Sequence, residues 1–371
     1  MPSPARLDYV DDILADIVAG YDLLQATEKP GMVSFVEAKP TYAERWTQFL
    51  RSSESVNRWS NRGPVWYALS RAYERYFSNL SGKKVVPCAN GGIALEALAK
   101  LHELRENRPL RWCVSAFSFA NAGRGYFANS LKLDCDEQGV LSRSELERAD
   151  PDTFDGIIVT NPFGILKDFD PLVSWQKENG KHLLIDNAAG ISHNIPNLSY
   201  QAFSLHHTKP FGFGEGGLAV VAEDEFETFL RLLEYTPLDQ VETPYWVNNG
   251  KLSELACAAH LSRLECAPEW LPLYEIQAAR IKVIAEGLGL VPLLSGSGPA
   301  MSLPFLAPHA IDADALRNNK LVLGKYYKPL AAAETCAHIY SRIINIPSHP
   351  GVSQLSREDL ERTLTEVLEA H

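Results

Sequence analysis

Ser204-Leu-His-His-Thr-Lys209-Pro-Phe-Gly-Phe-Gly-Glu-Gly-Gly217 decides the reading of this chain. It sets one lysine, Lys209, between a strand-like run, Gln201 to Leu205, and a glycine-rich loop returning into Leu218-Ala-Val-Val-Ala222. Upstream, the apolar run His182-Leu-Leu-Ile-Asp186 ends on an acid, and its composition reads as a buried strand. Further back, Asn90-Gly91-Gly92-Ile93-Ala94-Leu95 opens a helix with little side chain over its first backbone N–H groups. An anion would be held there by those groups and by the helix dipole. Ser204 stands close enough in sequence to Lys209 to add a hydroxyl to the same anion.

A phosphate cradle, a buried acid and a lysine, in that chain order, are what pyridoxal 5'-phosphate (PLP) requires. The lysine forms an imine with the cofactor aldehyde and must be a free amine to do so, which a dry strand end favours. The acid keeps the pyridine nitrogen protonated by ion pairing. Ser115-Ala-Phe-Ser-Phe-Ala-Asn121 follows another strand, and Phe119 offers a flat face for the ring.

Six short apolar runs mark strands: Val85-Val86, Trp112 to Ser115, Gly156 to Thr160, His182 to Asp186, Ala202 to Leu205 and Leu218 to Val221. Helical patterns alternate with them. The clearest follows Gly92, where Ala94, Ala97, Leu98, Leu101 and Leu104 recur at three- and four-residue steps. Such alternation predicts an α/β fold with a mostly parallel sheet covered on both faces. Ligands of these sheets bind beyond the carboxyl ends of the strands, where Asn90, Ser115, Asn161, Asp186 and Lys209 all fall. The organisation expected is a helical, polar N-terminal segment (1–58), a large cofactor-binding domain (59–240) and a smaller C-terminal α+β domain (241–371).

At 371 residues the chain exceeds one ordinary core. Its net charge of −11 argues against a general nucleic-acid surface. No segment is long and apolar enough to span a membrane, and the N-terminus lacks a signal-peptide core, so a cytoplasmic enzyme is expected. The six cysteines are scattered without a CxxC pair, which predicts reduced thiols and no metal site.

The chain resembles the DegT/DnrJ/EryC1/StrS family of PLP-dependent aminotransferases, from about Trp59 to the C-terminus. Asn90 to Leu95 resembles the family's N-G-T-x-A-L phosphate loop, with Gly92 in place of the hydroxyl residue. Phe117-Ser118-Phe119 resembles F-T-[FW], which puts Phe119 at the stacking position. Ser204 to Gly217 resembles the S-F-x-x-x-K…G-[DE]-G-G block, which makes Lys209 the imine-forming lysine. Trp246 to Ala259 resembles N-x-R-[ML]-[ST]-[ED]-x-x-A-A, with Lys251 where arginine is usual. In the family the asparagine of that segment, here Asn249, reaches the phosphate of the neighbouring subunit. A homodimer with shared sites is therefore implied.

One departure concerns Asp186-Asn-Ala-Ala189, where the family's E-D-A-A-[QH] ends on a polar side chain near the cofactor's phenolic oxygen. Asn161, in Thr160-Asn161-Pro162, resembles the strand-end asparagine of other PLP aminotransferases; it either takes over that role or serves as a turn-forming Asn-Pro.

The resemblance implies the aspartate-aminotransferase-like fold of type I PLP-dependent transferases. It also implies transfer of an amino group from an amino acid, glutamate first, to a nucleotide-linked keto-sugar in deoxysugar or surface-polysaccharide biosynthesis. Cofactor residues would then be Gly91, Gly92, Ile93, Phe119, Asn161, Asp186, Ser204, Lys209 and Asn249, with Lys209 and Asp186 catalytic. Two alternatives remain at this level: a lyase, desulfurase or dehydratase of the same fold, or a non-catalytic relative. Desulfurases need a mobile cysteine, whereas Cys336 falls in a helical run. The family's dehydratases carry histidine in place of the lysine.

Overall fold

The apolar runs assemble into one seven-stranded sheet in a computed structural model, which describes residues 9–25, 31–165, 168–296, 298–317 and 319–370. The strands are β1 (Lys83–Cys88), β2 (Trp112–Ser115), β3 (Leu131–Leu133), β4 (Gly156–Thr160), β5 (His182–Asp186), β6 (Gln201–Ser204) and β7 (Gly217–Ala222). Their order is β1-β7-β6-β5-β4-β2-β3. Every neighbouring pair is parallel except those made by β7, which runs against both β1 and β6.

Both faces of the sheet are covered, and successive residues show it. Ile157 and Val159 of β4 pack with Leu183 and Ile185 of β5 in one core, while Ile158 and Leu184 point into the other. A parallel strand buried on both faces must read as a continuous apolar run, which is what Gly156 to Thr160 is.

The helices are α1 (Tyr9–Gln25), α2 (Ala43–Ser55), α3 (Pro64–Tyr76), α4 (Gly91–Glu106), α5 (Arg143–Arg148), α6 (Asp170–Glu178), α7 (Phe226–Arg231), α8 (Glu254–Glu265), α9 (Ala267–Gly287), α10 (Glu334–Arg342) and α11 (Arg357–Glu369). α4 lies on β6 and β7 and buries Ala94, Ala97, Leu98 and Leu101, the residues its periodicity singles out. α5 and α6 cover the opposite face through Leu146, Leu172 and Trp175.

α3 begins at Gly63 with no side-chain cap of its own. The buried Glu254 of α8 supplies one instead, accepting from Val65 N (2.8 Å), Trp66 N (3.0 Å) and Ser53 Oγ (2.7 Å). A carboxylate at a helix N-terminus satisfies orphan donors and meets the positive end of the dipole.

Beyond α9 a three-stranded antiparallel sheet forms from β8 (Val291–Pro292), β9 (Ser302–Leu306) and β10 (Ile343–Pro347). It packs with α9 and α11 around Ile281, Ile284, Phe305, Ile344 and Leu364. Packing divides the chain differently from a cut at residue 240. Trp270 and Tyr274 of α9 belong to the core of the large sheet, whereas Ile281 and Ile284 of the same helix belong to the second.

The N-terminal region holds α1 and α2 with a non-helical stretch between them. Residues 33–41 hold no helix and join distant segments: Val33 N donates to Lys320 O (2.7 Å), Val33 O accepts from Val322 N (3.0 Å), and Glu37 accepts from Arg263 and Tyr274. α1 carries an apolar stripe at helical spacing, from Val10 through Ile13, Leu14, Ile17 and Val18 to Tyr21. These side chains are 43 % to 61 % exposed, so the described residues leave that face uncovered.

Candidate active site

The carboxyl ends of β4, β5 and β6 and the first turn of α4 surround a cavity of about 400 Å³. It is deep enough for a cofactor-sized ligand. Gly91, Gly92, Phe119, Asp186, Ser204 and Lys209 all line it, so six residues far apart in sequence meet where the strand ends place them. β9 and the segment before α10 close the far side with Met301, Ser302, Tyr326 and Tyr327.

Asp186 ends β5 with only 6 % of its surface exposed. One of its oxygens, Oδ1, accepts from Ala188 N (3.0 Å), and the carboxylate makes no other hydrogen bond with described residues. Burial pushes its pKa up, opposed by the Ala188 N–H and by the Lys209 cation. Lys209 shifts the other way: burial lowers its pKa, with Asp186 in opposition. Its Nζ has no hydrogen-bond partner among the described residues. The pair is thus an uncommitted acid and a lysine biased toward the neutral amine, facing one cavity.

The loop carrying Lys209 is held by two buried cations that sequence reasoning missed. Lys39 Nζ donates to three of its carbonyls, those of His207 (2.5 Å), Lys209 (2.5 Å) and Gly212 (2.7 Å). Arg263 Nε donates to a fourth, Pro210 O (2.9 Å). Glu37 lies between the two cations, accepting from Arg263 (2.8 Å) and Tyr274 Oη (2.9 Å). Burial and the nearby Arg263 push the Lys39 pKa down to about 7, while three carbonyl acceptors favour its ammonium form. Gly212 is required here, because a Cβ would sit 2.0 Å from His206 O. Arg263 does leave a sequence signal, a charge on the core side of α8 between Ser262 and Leu264. Lys39 leaves none that periodicity could detect.

At the phosphate end, Asn90 caps α4 by accepting Ile93 N at 2.8 Å. Ile93 is therefore not an open donor, contrary to the sequence expectation, and it does not line the cavity. The N–H groups of Gly91 and Gly92 remain for an anion. Ser204 Oγ accepts from His206 N (3.2 Å), which leaves its hydroxyl proton to donate.

Phe119 stands on the rim, 52 % exposed, with its ring centroid 6.4 Å from Tyr327. Tyr327 stacks on Phe163 at 4.8 Å. Asn161 is not brought to the cavity. Its Nδ2 donates to Asn187 Oδ1 (3.0 Å), whose Nδ2 donates to Gln201 Oε1 (2.9 Å), and this ladder of amides holds it behind the strand ends. Asn249 is exposed and also lies outside the cavity. Its neighbour Gly250 binds the strand end that leads into α4, through Ala89 N to Gly250 O (2.7 Å).

The arrangement fits a pyridine aldehyde phosphate: donors at a helix N-terminus for the phosphate, an acid with an uncommitted oxygen, an unpaired amine and an aromatic rim. The sequence profile of the DegT/DnrJ/EryC1/StrS aminotransferase family matches residues 42–291, and the chain belongs to that family. Its cofactor is PLP. The Mycobacterium tuberculosis protein Rv3402c (strain H37Rv) is similar at 26 % identity, covering 89 % of this chain and 88 % of that protein.

Two solved structures share the fold. One is Helicobacter pylori PseC, an aminotransferase of pseudoaminic acid biosynthesis (TM-score 0.74, 15 % identity, 91 % of this chain and 99 % of that one). The other is a DegT DnrJ EryC1 StrS aminotransferase from Brucella abortus (TM-score 0.69, 18 % identity, 88 % and 95 %).

Cys336, the residue a desulfurase reading would need, is buried in α10 with its Sγ 3.3 Å from Cys135 Sγ, outside the cavity lining. Asp134 lies beside both thiols, but its carboxylate is occupied by the N–H groups of Cys135, Thr335 and Cys336.

Proposed function

We propose that this protein transfers an amino group from an amino acid, glutamate first, to the carbonyl of a nucleotide-linked keto-deoxysugar. The observation that carries the reading is the Lys209 amine, without a hydrogen-bond partner among the described residues, in one cavity with Asp186 and the first turn of α4, in a chain of the aminotransferase family. Bound PLP supplies an electron sink for the bond broken at the donor's Cα. Asp186 holds the positive charge of the ring nitrogen by ion pairing. Lys209 Nζ, biased by burial toward the neutral amine, would take the Cα proton and later return one to the acceptor carbon. Tyr326, Met301 and Phe35 give the outer cavity an apolar wall suited to the carbon face of a sugar ring.

Glutamate added to the PLP-loaded enzyme should bleach the cofactor's visible band, and a keto-sugar nucleotide should restore it. No bleaching by any amino acid, or water loss from the sugar without nitrogen transfer, would defeat the reading in favour of a lyase.

The working unit we propose is a homodimer with shared sites. The exposed Asn249 beside the strand that feeds α4, and the uncovered stripe of α1, are the supporting features. A two-fold axis would let each chain offer Asn249 to the other's phosphate. Inactive Lys209→Ala chains mixed with inactive Asn249→Asp chains should then regain activity, because each hybrid holds one intact site. Subunits that exchange while activity stays absent would refute sharing.

A further inference from the structure

At the first turn of α4, Gly92 offers the cavity no side chain, and the Asn121 carboxamide of a neighbouring turn stands over it. Gly92 is the second residue of α4 and lines the cavity. A Cβ built on it would lie 2.9 Å from Asn121 Oδ1 and 3.2 Å from Asn121 Nδ2. The Asn121 carboxamide therefore occupies the ground that a residue-92 side chain would take. Asn121 follows Phe119 in the short 3-10 turn Ala120–Gly123, lines the same cavity and makes no side-chain hydrogen bond with any described residue. The other asparagine at this end, Asn90, is spent on capping Ile93 N. We propose that Asn121 Nδ2 is a phosphate donor, supplying from the turn after β2 the contact that a hydroxyl at position 92 would make from α4.

The chemistry is consistent. A dianion at a helix N-terminus takes every donor it can reach, and Gly91 N–H, Gly92 N–H and Ser204 Oγ–H leave room for another. A carboxamide offers two N–H groups, so one can serve the phosphate while the other faces water. Because the oxygen and nitrogen of an amide can exchange places by rotation, the bound dianion sets which one points inward. The two solutions crowd each other: a side chain at 92 would displace the carboxamide of 121 from where it stands.

The proposal rests on PLP as cofactor, and titration of the wild-type apoprotein with PLP checks that separately. The test is a cycle of dissociation constants, measured spectroscopically on apoprotein with PLP and with pyridoxal, which lacks the phosphate. Asn121→Ala should weaken PLP about tenfold, the cost of a hydrogen bond to a charged group, and leave pyridoxal unchanged. Gly92→Ser alone should also weaken PLP, because its Cβ meets the carboxamide. The double variant Gly92→Ser/Asn121→Ala should bind PLP more tightly than either single one. Unchanged PLP affinity in Asn121→Ala would overturn the proposal. So would an equal loss for PLP and pyridoxal, or a Gly92→Ser single variant that binds more tightly than wild type.

Discussion

Replacing Lys209 by alanine is expected to remove turnover while leaving the protein folded. The amine is the group that moves the Cα proton, and a positioned acid/base contributes about 10²- to 10⁴-fold, so loss at the upper end of that span is the minimum expected. Loss of the covalent anchor adds to it. Lys209 Nζ makes no hydrogen bond with described residues and faces the cavity, so its removal costs no packed core. Thermal unfolding should stay close to wild type. Borohydride should no longer fix cofactor to the chain, and a small exogenous amine should restore part of the activity. Mapping of reduced cofactor to a different lysine, or turnover retained without Lys209, would dismiss the assignment.

Asp186→Asn is expected to give the second largest effect. The side chain keeps its shape but loses the charge that pairs with the ring nitrogen. About 3 kcal/mol of lost transition-state stabilisation corresponds to roughly 10²-fold in rate. The loss should fall on kcat rather than on folding, since asparagine can still accept the one hydrogen bond Asp186 takes, from Ala188 N. A variant with near-normal kcat and cofactor affinity would reduce Asp186 to a strand-end cap.

What could be read in the sequence follows from how locally each feature is encoded. β4 and β5 are buried on both faces, so a run of apolar residues is their whole signature, and their ends fall where the sequence puts them. α4 buries Ala94, Ala97, Leu98 and Leu101 of the residues its 3.6-residue period selects, with Leu104 half-buried. β3 was missed as a strand because it is three half-buried residues at the sheet edge, Leu131 to Leu133, with a lysine in the middle. Residues 33–41 gave no periodic signal because they are held by partners elsewhere in the chain.

The fate of Asn161 was decided across the sheet. Gln201, on β6, fixes Asn187, which in turn draws the Asn161 amide away from the cavity. Local pattern reveals which side chains sit at strand ends. It does not reveal which of them a neighbour has already claimed. Lys39 is the same lesson with the opposite sign, a surface-looking lysine whose side chain is buried.

That lysine also bears on the order in which the protein is made. Lys39 meets a carbonyl 170 residues further along the chain, and Val33 pairs with a segment made later still, at Lys320 and Val322. Both contacts close long loops, and neither can form until the elements that flank them exist. Lys39 and Arg263 thus grip the Lys209 loop from far sides of the sequence, so the shape of the site depends on contacts that span most of the chain.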